Sequence, residues 1–373
     1  MHTSPTILHV FGARPNFVKM APIIRALSAR TDIRNVLAHT GQHYDHRMSA
    51  DVLADLEIRE PDHFLAVGSG THGTQTAKAL AACEALMLDL QPDLLIVAGD
   101  VNSTLAGALA ASKLGVAIAH VEAGLRSFDW SMPEEINRVL TDRLSDILLT
   151  TSPEAEENLA REGIPAERVH FVGNTMIDSL RRFEAEARVR AAWQTLGVKE
   201  GEYVLVTLHR PSNVDDPVQL AAIVAELVAL AARAPVVFPV HPRTRARLES
   251  SDNLASLSAA GVHCIEPVGY LDFLSLEHGT GAIVTDSGGI QEEAAALGVP
   301  CFTLRANTER PITVTLGGNT LLGDTPTALR QVAVHAGARA PCTIPLWDGH
   351  AGERAAGAIL AFLASRDRLE GAA

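Results

Sequence analysis

Short apolar runs alternate with longer helical patterns along this chain, and that alternation leaves few folds open. The runs at 7–11 (ILHVF), 93–99 (DLLIVAG), 116–121 (VAIAHV) and 146–151 (DILLTT) read as buried strands, with helical stretches such as 103–113 between them. The pattern returns at 203–208 (YVLVTL), 236–240 (VVFPV), 281–285 (GAIVT) and 301–304 (CFTL). Alternation of this kind builds parallel sheets with helices on both faces. At 373 residues the chain is too long for one ordinary core, so two domains are expected. Apolar residues make up 47% and aromatics only 4%, which suits a core of Ala, Val, Leu and Ile between helices and parallel strands.

Two stretches form a pseudo-repeat. LLIVAGDVNST, a helix and LGVAIAHVEAG start at Leu94; AIVTDSGGIQEE, a helix and LGVPCFTLRANTE start at Ala282. Each is a strand ending in Asp, a helix opening with small residues, an LGV turn, a second strand and then a Glu. The second copy is shorter by about one helical turn. This fits two similar halves. The charge-rich helical segment 174–201, with RRFEAEARVR, reads as the connection between them. A last helix at 352–364 can pack on either half.

The net charge of −13 argues against a general nucleic-acid or anionic-membrane surface. An anionic small molecule then needs a locally basic pocket. Cys83, Cys264, Cys301 and Cys342 are scattered, without metal-type spacing, and read as buried reduced thiols. The N-terminal apolar run 7–11 is too short for a signal sequence and no segment approaches a membrane span, so a cytoplasmic protein is expected.

In open parallel sheets, ligands bind beyond the carboxyl ends of the strands, so polar residues just after strands are the candidates. Gly12-Ala13-Arg14-Pro15-Asn16 follows the first strand, with Lys19 in the helix. This is not GxGxxG, so a tightly held nicotinamide cofactor is not supported. Arg14 and Lys19 suit a diphosphate: each alone reads more often as a surface cation, but both at one strand end point to function. Asp100 and Glu122 stand at two strand tips, and Glu134 and Glu135 open a helix after Pro133. Asp100 can be a helix cap and the Glu pair ordinary first-turn charge. Three acids around one cleft are better explained by acid–base chemistry. His209 and Arg210 follow another strand, where His can move protons and Arg can hold phosphate. His241, after VVFPV, reads as structural. In TDSGGIQEE, Ser287-Gly288-Gly289 exposes backbone N–H groups at a helix start, an anion site; Glu293 can take a ribose hydroxyl pair. Arg305, Thr308, Glu309 and Arg310 add cations and polar groups after the next strand.

Together these residues resemble the non-hydrolysing UDP-N-acetylglucosamine 2-epimerase family. The motifs GARPNFVKMAP (12–22), GQHYD (41–45), GDVNSTLAG (99–107), HVEAGLRS (120–127), MPEEINR (132–138), GNTMIDSL (173–180), LHRPSN (208–213), DSGGIQEE (286–293) and NTERP (307–311) run in order. The resemblance implies an α/β fold of two Rossmann-like domains whose parallel sheets face a central cleft, the glycosyltransferase-B architecture. The expected domains are 1–175 and 176–351, with helix 352–373 packing back on the first. It implies that Asp100, Glu122, Glu134 and His209 fall on catalytic positions. Arg14, Lys19 and Arg210 fall on the phosphate side. Ser287, Gly288, Gly289, Glu293 and Arg310 fall on or beside UDP-binding positions. It further implies a homodimer acting on a UDP-sugar without a redox cofactor or metal. In activator-dependent bacterial relatives the segment matching Gln42 and His43 contacts a second nucleotide sugar; here Tyr44 and Asp45 follow. Pro211-Ser212-Asn213 stands where many relatives carry an acid.

A hexose carbon-2 hydrogen is not acidic, because no carbonyl adjoins it. Without a hydride acceptor, the open route is loss of UDP from carbon-1 with removal of the carbon-2 proton, then re-addition. That route needs bases on both faces of the sugar and cations on the departing diphosphate. The rival readings are a hydrolysing epimerase, a glycosyltransferase of the same architecture and a non-catalytic nucleotide-sugar sensor. The full set of acids argues against the sensor.

Overall fold

The structure, a computed structural model, describes residues 4–41, 52–334 and 341–370. It divides into two units, Met1–Ser179 with Pro345–Ala373, and Leu180–Ile344. The boundary falls inside the helix Thr175–Arg190, within the charge-rich segment.

In the first unit the strands are β1 (Thr6–Phe11), β2 (Arg34–His39), β3 (His63–Phe64), β4 (Leu94–Ala98), β5 (Ala117–Ala123), β6 (Ile147–Thr150) and β7 (Val169–Phe171). They form one sheet in the order β3-β2-β1-β4-β5-β6-β7, with every neighbouring pair parallel. In the second unit they are β8 (Val204–Thr207), β9 (Val236–Pro239), β10 (His263–Ile265), β11 (Ala282–Thr285), β12 (Cys301–Thr303) and β13 (Asn319–Leu321). Their order is β10-β9-β8-β11-β12-β13, again all parallel. Both orders are Rossmann-like, and each reverses once: between β1 and β4, and between β8 and β11. A ligand belongs beyond the carboxyl ends of the strands at such a switch point.

Central strands are apolar on both faces because helices cover both. Leu8, Val10, Leu95 and Val97 pack with Ala108, Ala110 and Ala111 of the helix Asn102–Leu114, whose small side chains let it lie close to the sheet. In the second unit Val204, Val206, Phe238 and Val284 meet Leu220, Ile223 and Leu227, one helical face of Pro217–Ala231. The pseudo-repeat is realised as β4–helix–β5 and β11–helix–β12. Its helices, 13 and 10 residues long, end on Gly115 (φ 72°) and Gly298 (φ 68°). Both glycines take the left-handed conformation of a helix C-cap, which disfavours any side chain. Cys83 and Cys301 are buried, and burial pushes both thiols up to about 12. Cys264 and Cys342 are only half-buried, contrary to the expectation of four buried thiols. No helix among the described residues is long and apolar enough to cross a membrane.

The last helix, Ala351–Glu370, belongs to the first unit and packs on the helix Arg14–Ser28. Gly352 lies against Pro22 so closely that a Cβ there would sit 2.6 Å from the Pro22 Cβ. The Trp347 indole donates to the Thr151 carbonyl at 3.0 Å. The orphan amides at the helix start, Ala351 and Gly352, donate to the Asp178 carboxylate at 3.1 and 2.6 Å. Replacing Asp178 by Ala leaves two buried N–H groups without this acceptor. Asp178→Ala should lower stability by about 1–3 kcal/mol. Hydrogen exchange should show faster exchange at Ala351 and Gly352 first; unchanged protection there would refute this account.

Candidate active site

At the first switch point, β1 leads through Gly12 and Ala13 into the helix Arg14–Ser28. Asn16 ties the two strand tips together: its Oδ1 accepts from the Ala13 amide at 3.1 Å and its Nδ2 donates to the Ala98 carbonyl at 2.7 Å. Lys19, 5% exposed, forms an ion pair with Glu122, also 5% exposed. Gly99, with φ 67°, makes room for that pair; a Cβ there would meet the Lys19 Nζ at 2.9 Å.

Glu122 itself has φ 69°, where side chains are rarely found. The register of β5 on β6 slips at this residue, between Val121 and Ala123. A bulge with a left-handed acidic residue re-aims its side chain, and such strain concentrates at functional sites. Asp100 accepts from the Arg138 guanidinium at 2.6 Å and keeps 20% of its side chain exposed. Arg138 is itself 1% exposed and also pairs with Glu135. Glu135 further accepts from the Ser127 amide, the Ser127 hydroxyl and the Phe128 amide, all at 2.9 Å. The neighbouring acids therefore differ: Glu135 is buried and braces the 127–128 loop, whereas Glu134 is half-buried.

At the second switch point, β8 leads to His209 and Arg210, and β11 to Asp286, Ser287 and Gly288. Asp286 is fully buried and organises the turn. It accepts from the His209 amide (3.0 Å), the Arg210 amide (2.9 Å) and the Asn213 side chain (3.0 Å). It also pairs with His209 Nδ1 at 2.9 Å. Burial alone would raise its carboxyl, but His209 and these donors outweigh it and hold the group at about 2. His209 keeps 38% of its side chain exposed, so one ring nitrogen is fixed by a carboxylate while the ring remains open to a ligand. His241 packs its ring 5.6 Å from that of His209, and its Nδ1 accepts from the Arg243 amide as a helix cap.

Beneath the Ser287 turn lies a network of three arginines and two glutamates. Arg310, 4% exposed, contacts Glu309 at 2.5 Å and Glu292 at 3.0 Å. Arg305 reaches Glu309 at 2.7 Å, and Arg210 reaches it at 3.7 Å. The network lies close to the start of the helix Gly288–Leu297. A Cβ on Gly288 would sit 2.2 Å from Arg310 Nη1, so the glycine admits the arginine. A helix N-terminus favours an anion. Glu293 is 4% exposed and accepts from the Tyr270 hydroxyl at 3.4 Å.

Several expected residues are thus placed by specific partners: Lys19 by Glu122, Asp100 by Arg138, His209 by Asp286. Lys19, expected beside a phosphate, has a carboxylate as its near neighbour. Arg310, expected beside the nucleotide, supports the glycine turn from below. Arg14 is the first residue of its helix, and Gln42 and His43 lie outside the described residues. Sequence reasoning missed Asp286 and Arg138. Their signals were an Asp at the end of a strand that mirrors Asp100, and an Arg four residues after Glu134.

Comparison with known proteins adds to this geometry. A family model described as UDP-N-acetylglucosamine 2-epimerase matches residues 25–360. The chain is 45% identical over 354 residues to the UDP-N-acetylglucosamine 2-epimerase of Methanocaldococcus jannaschii, covering 92% of this chain and 96% of that one. It is 44% identical over 320 residues to the UDP-2,3-diacetamido-2,3-dideoxy-D-glucuronate 2-epimerase of Pseudomonas aeruginosa, covering 85% and 88%. Its structure is similar to the crystal structure of the Methanocaldococcus jannaschii UDP-GlcNAc 2-epimerase in complex with UDP-GlcNAc and UDP. The TM-score there is 0.88 at 41% identity, over 96% of this chain and 99% of that one.

The Asp286 carboxyl sits below its ordinary value of 3.8, at about 2, so the interactions of its ionised form stabilise the fold above pH 4. That contribution is lost as pH falls toward 2. Asp286→Asn has no such titration. Urea unfolding should show a stability gap between wild type and Asp286→Asn that is full at pH 6 and narrows at pH 3. A gap independent of pH would contradict the assignment.

Proposed function

The chain belongs to the UDP-N-acetylglucosamine 2-epimerase family, and on that premise we propose that it interconverts UDP-N-acetylglucosamine and UDP-N-acetylmannosamine by eliminating UDP and adding it back. The observation that carries this reading is Glu122: a buried acid in a left-handed bulge, beside Lys19, at the strand tip next to that of Asp100. A binding protein has no use for acids held at such a cost in backbone strain; a proton-transfer enzyme does.

In the first step a base removes the carbon-2 proton. The carbon-1–oxygen bond breaks with its electron pair leaving on the diphosphate, and a glycal remains. A proton then arrives at carbon-2 on the opposite face, and the diphosphate oxygen re-forms the bond to carbon-1. Asp100, Glu122 and Glu134 are the proposed acidic members of this machinery and His209 the proposed imidazole. With Asp286 on Nδ1, Nε2 of His209 is the nitrogen that exchanges protons. The Ser287-Gly288-Gly289 turn and Arg210 would hold the departing diphosphate, with Arg14 and Lys19 as further cations. Glu293 would take the ribose hydroxyls. We also propose a homodimer, as the sequence resemblance implied, acting in the cytoplasm, as the sequence features implied; light scattering should give the mass of two chains.

Incubation with UDP-N-acetylglucosamine in deuterated water should yield an epimer carrying deuterium at carbon-2, without an added acceptor or nicotinamide. Full retention of the original hydrogen would sink the elimination route. Asp100→Asn, Glu122→Gln, Glu134→Gln and His209→Asn should each lose about 10²–10⁴-fold in turnover while still folding. Glu293→Ala should chiefly weaken UDP binding. Near-normal turnover in two or more of the first four would mean the site lies elsewhere.

A further inference from the structure

His120, in β5, is fully buried and has a partner on each ring nitrogen. Nε2 lies 2.8 Å from the Gly99 carbonyl oxygen, and Nδ1 lies 2.6 Å from Asp142. The carbonyl can only accept. Asp142 accepts as well: its Oδ2 takes the Gly124 amide at 3.1 Å and pairs with Arg126 at 2.7 Å. Although burial raises its carboxyl, His120 and Arg126 outweigh burial and hold it below the usual carboxylate value, so the Oδ1 that faces His120 is an ionised acceptor. A ring set between two acceptors needs a hydrogen on each nitrogen, which makes it an imidazolium. The charges balance locally. His120 and Arg126 are positive, Asp142 and Glu162 negative, and Arg126 reaches Glu162 at 2.7 Å. A closed, neutral set is how charges persist in an interior.

This set grips the backbone on both sides of Glu122. His120 holds the Gly99 carbonyl, and the Gly99 amide donates to the Val121 carbonyl at 2.9 Å. Asp142 holds the Gly124 amide directly. Gly124 has φ 81°, and a Cβ there would sit 2.5 Å from the Ala155 carbonyl oxygen. The left-handed turn that leads into Asp100 and the bulge that presents Glu122 thus share one brace.

We propose that His120 and Asp142 are positioning residues for the reaction: a buried imidazolium–carboxylate pair that fixes Gly99 and Gly124 so that Asp100 and Glu122 keep their aim. The proposal rests on the reading of those two acids as proton-transfer groups. Both His120 and Asp142 are fully buried, so they act through the backbone they hold.

The test compares two replacements. His120→Gln places an amide nitrogen where Nε2 was and keeps the bond to the Gly99 carbonyl. His120→Asn places one where Nδ1 was and releases that carbonyl. Per folded enzyme, His120→Asn should lose about 10²-fold in kcat, since small misplacements of reacting groups cost that much. KM and UDP affinity should stay within about twofold, because ground-state binding is untouched. His120→Gln should recover most of the kcat. Equal losses in both variants, or no loss in either, would overturn the proposal, as would a kcat loss matched by an equal fall in folded fraction. Nitrogen-15 NMR of the wild-type protein supplies a readout that needs neither turnover nor a variant that folds. Both nitrogens of His120 should carry hydrogen, and a bare ring nitrogen would overturn the imidazolium. If the wild type fails to epimerise, the functional reading falls while the NMR result still decides the charge state.

Discussion

A parallel strand covered by helices on both faces can offer polar groups only at its ends. That constraint shapes both units. Their interiors are largely aliphatic, and the candidate site residues lie at or just beyond the carboxyl ends of β1, β4, β5, β8, β11 or β12, or in the first two turns of the next helix. The strand orders then decide which ends matter. With one reversal per sheet, the tips of β1 and β4 stand together in one unit and those of β8 and β11 in the other. Each pair leaves a gap where no crossover helix blocks the approach of a ligand.

Within the first unit the acids are held by unusual backbone rather than by flexible loops. Gly99 and Glu122 both occupy the left-handed region, and the Lys19–Glu122 pair passes over the hydrogen left in place of a Cβ at Gly99. Such geometry costs about 1–3 kcal/mol per strained residue and survives only where surroundings over-determine it. The buried His120–Asp142–Arg126 set supplies that determination. Glu135 shows the same logic at the helix start, where a buried acid takes three donors from the 127–128 loop and leaves its neighbour Glu134 half-buried.

The second unit arranges its strand tips around a carboxylate rather than a strained acid. It uses one carboxylate, Asp286, to draw in the amides of His209 and Arg210 and the imidazole of His209. It then places a network of arginines and glutamates under a glycine turn at a helix N-terminus. The two units share a topology and a pseudo-repeat but hold their strand-tip residues by different means.

The sequence by itself determined the α/β alternation, the pairing of β4–helix–β5 with β11–helix–β12, and the residue types at the strand tips. These are local signals: an apolar run is legible in a few residues, and a Leu-Gly-Val turn names its own helix cap. It did not reveal β2, β3, β7, β10 or β13. Several of these are half-buried strands of two or three residues, too short for an apolar run to stand out. Nor did it separate Glu134 from Glu135, since adjacent helix positions point about 100° apart and only packing says which turns inward. His209 and Asp286 are 77 residues apart and His120 and Asp142 are 22 apart. No periodicity connects such positions. Only the crossover connections of a parallel sheet bring them within hydrogen-bond reach, so it was the tertiary structure that decided which histidine received a carboxylate partner.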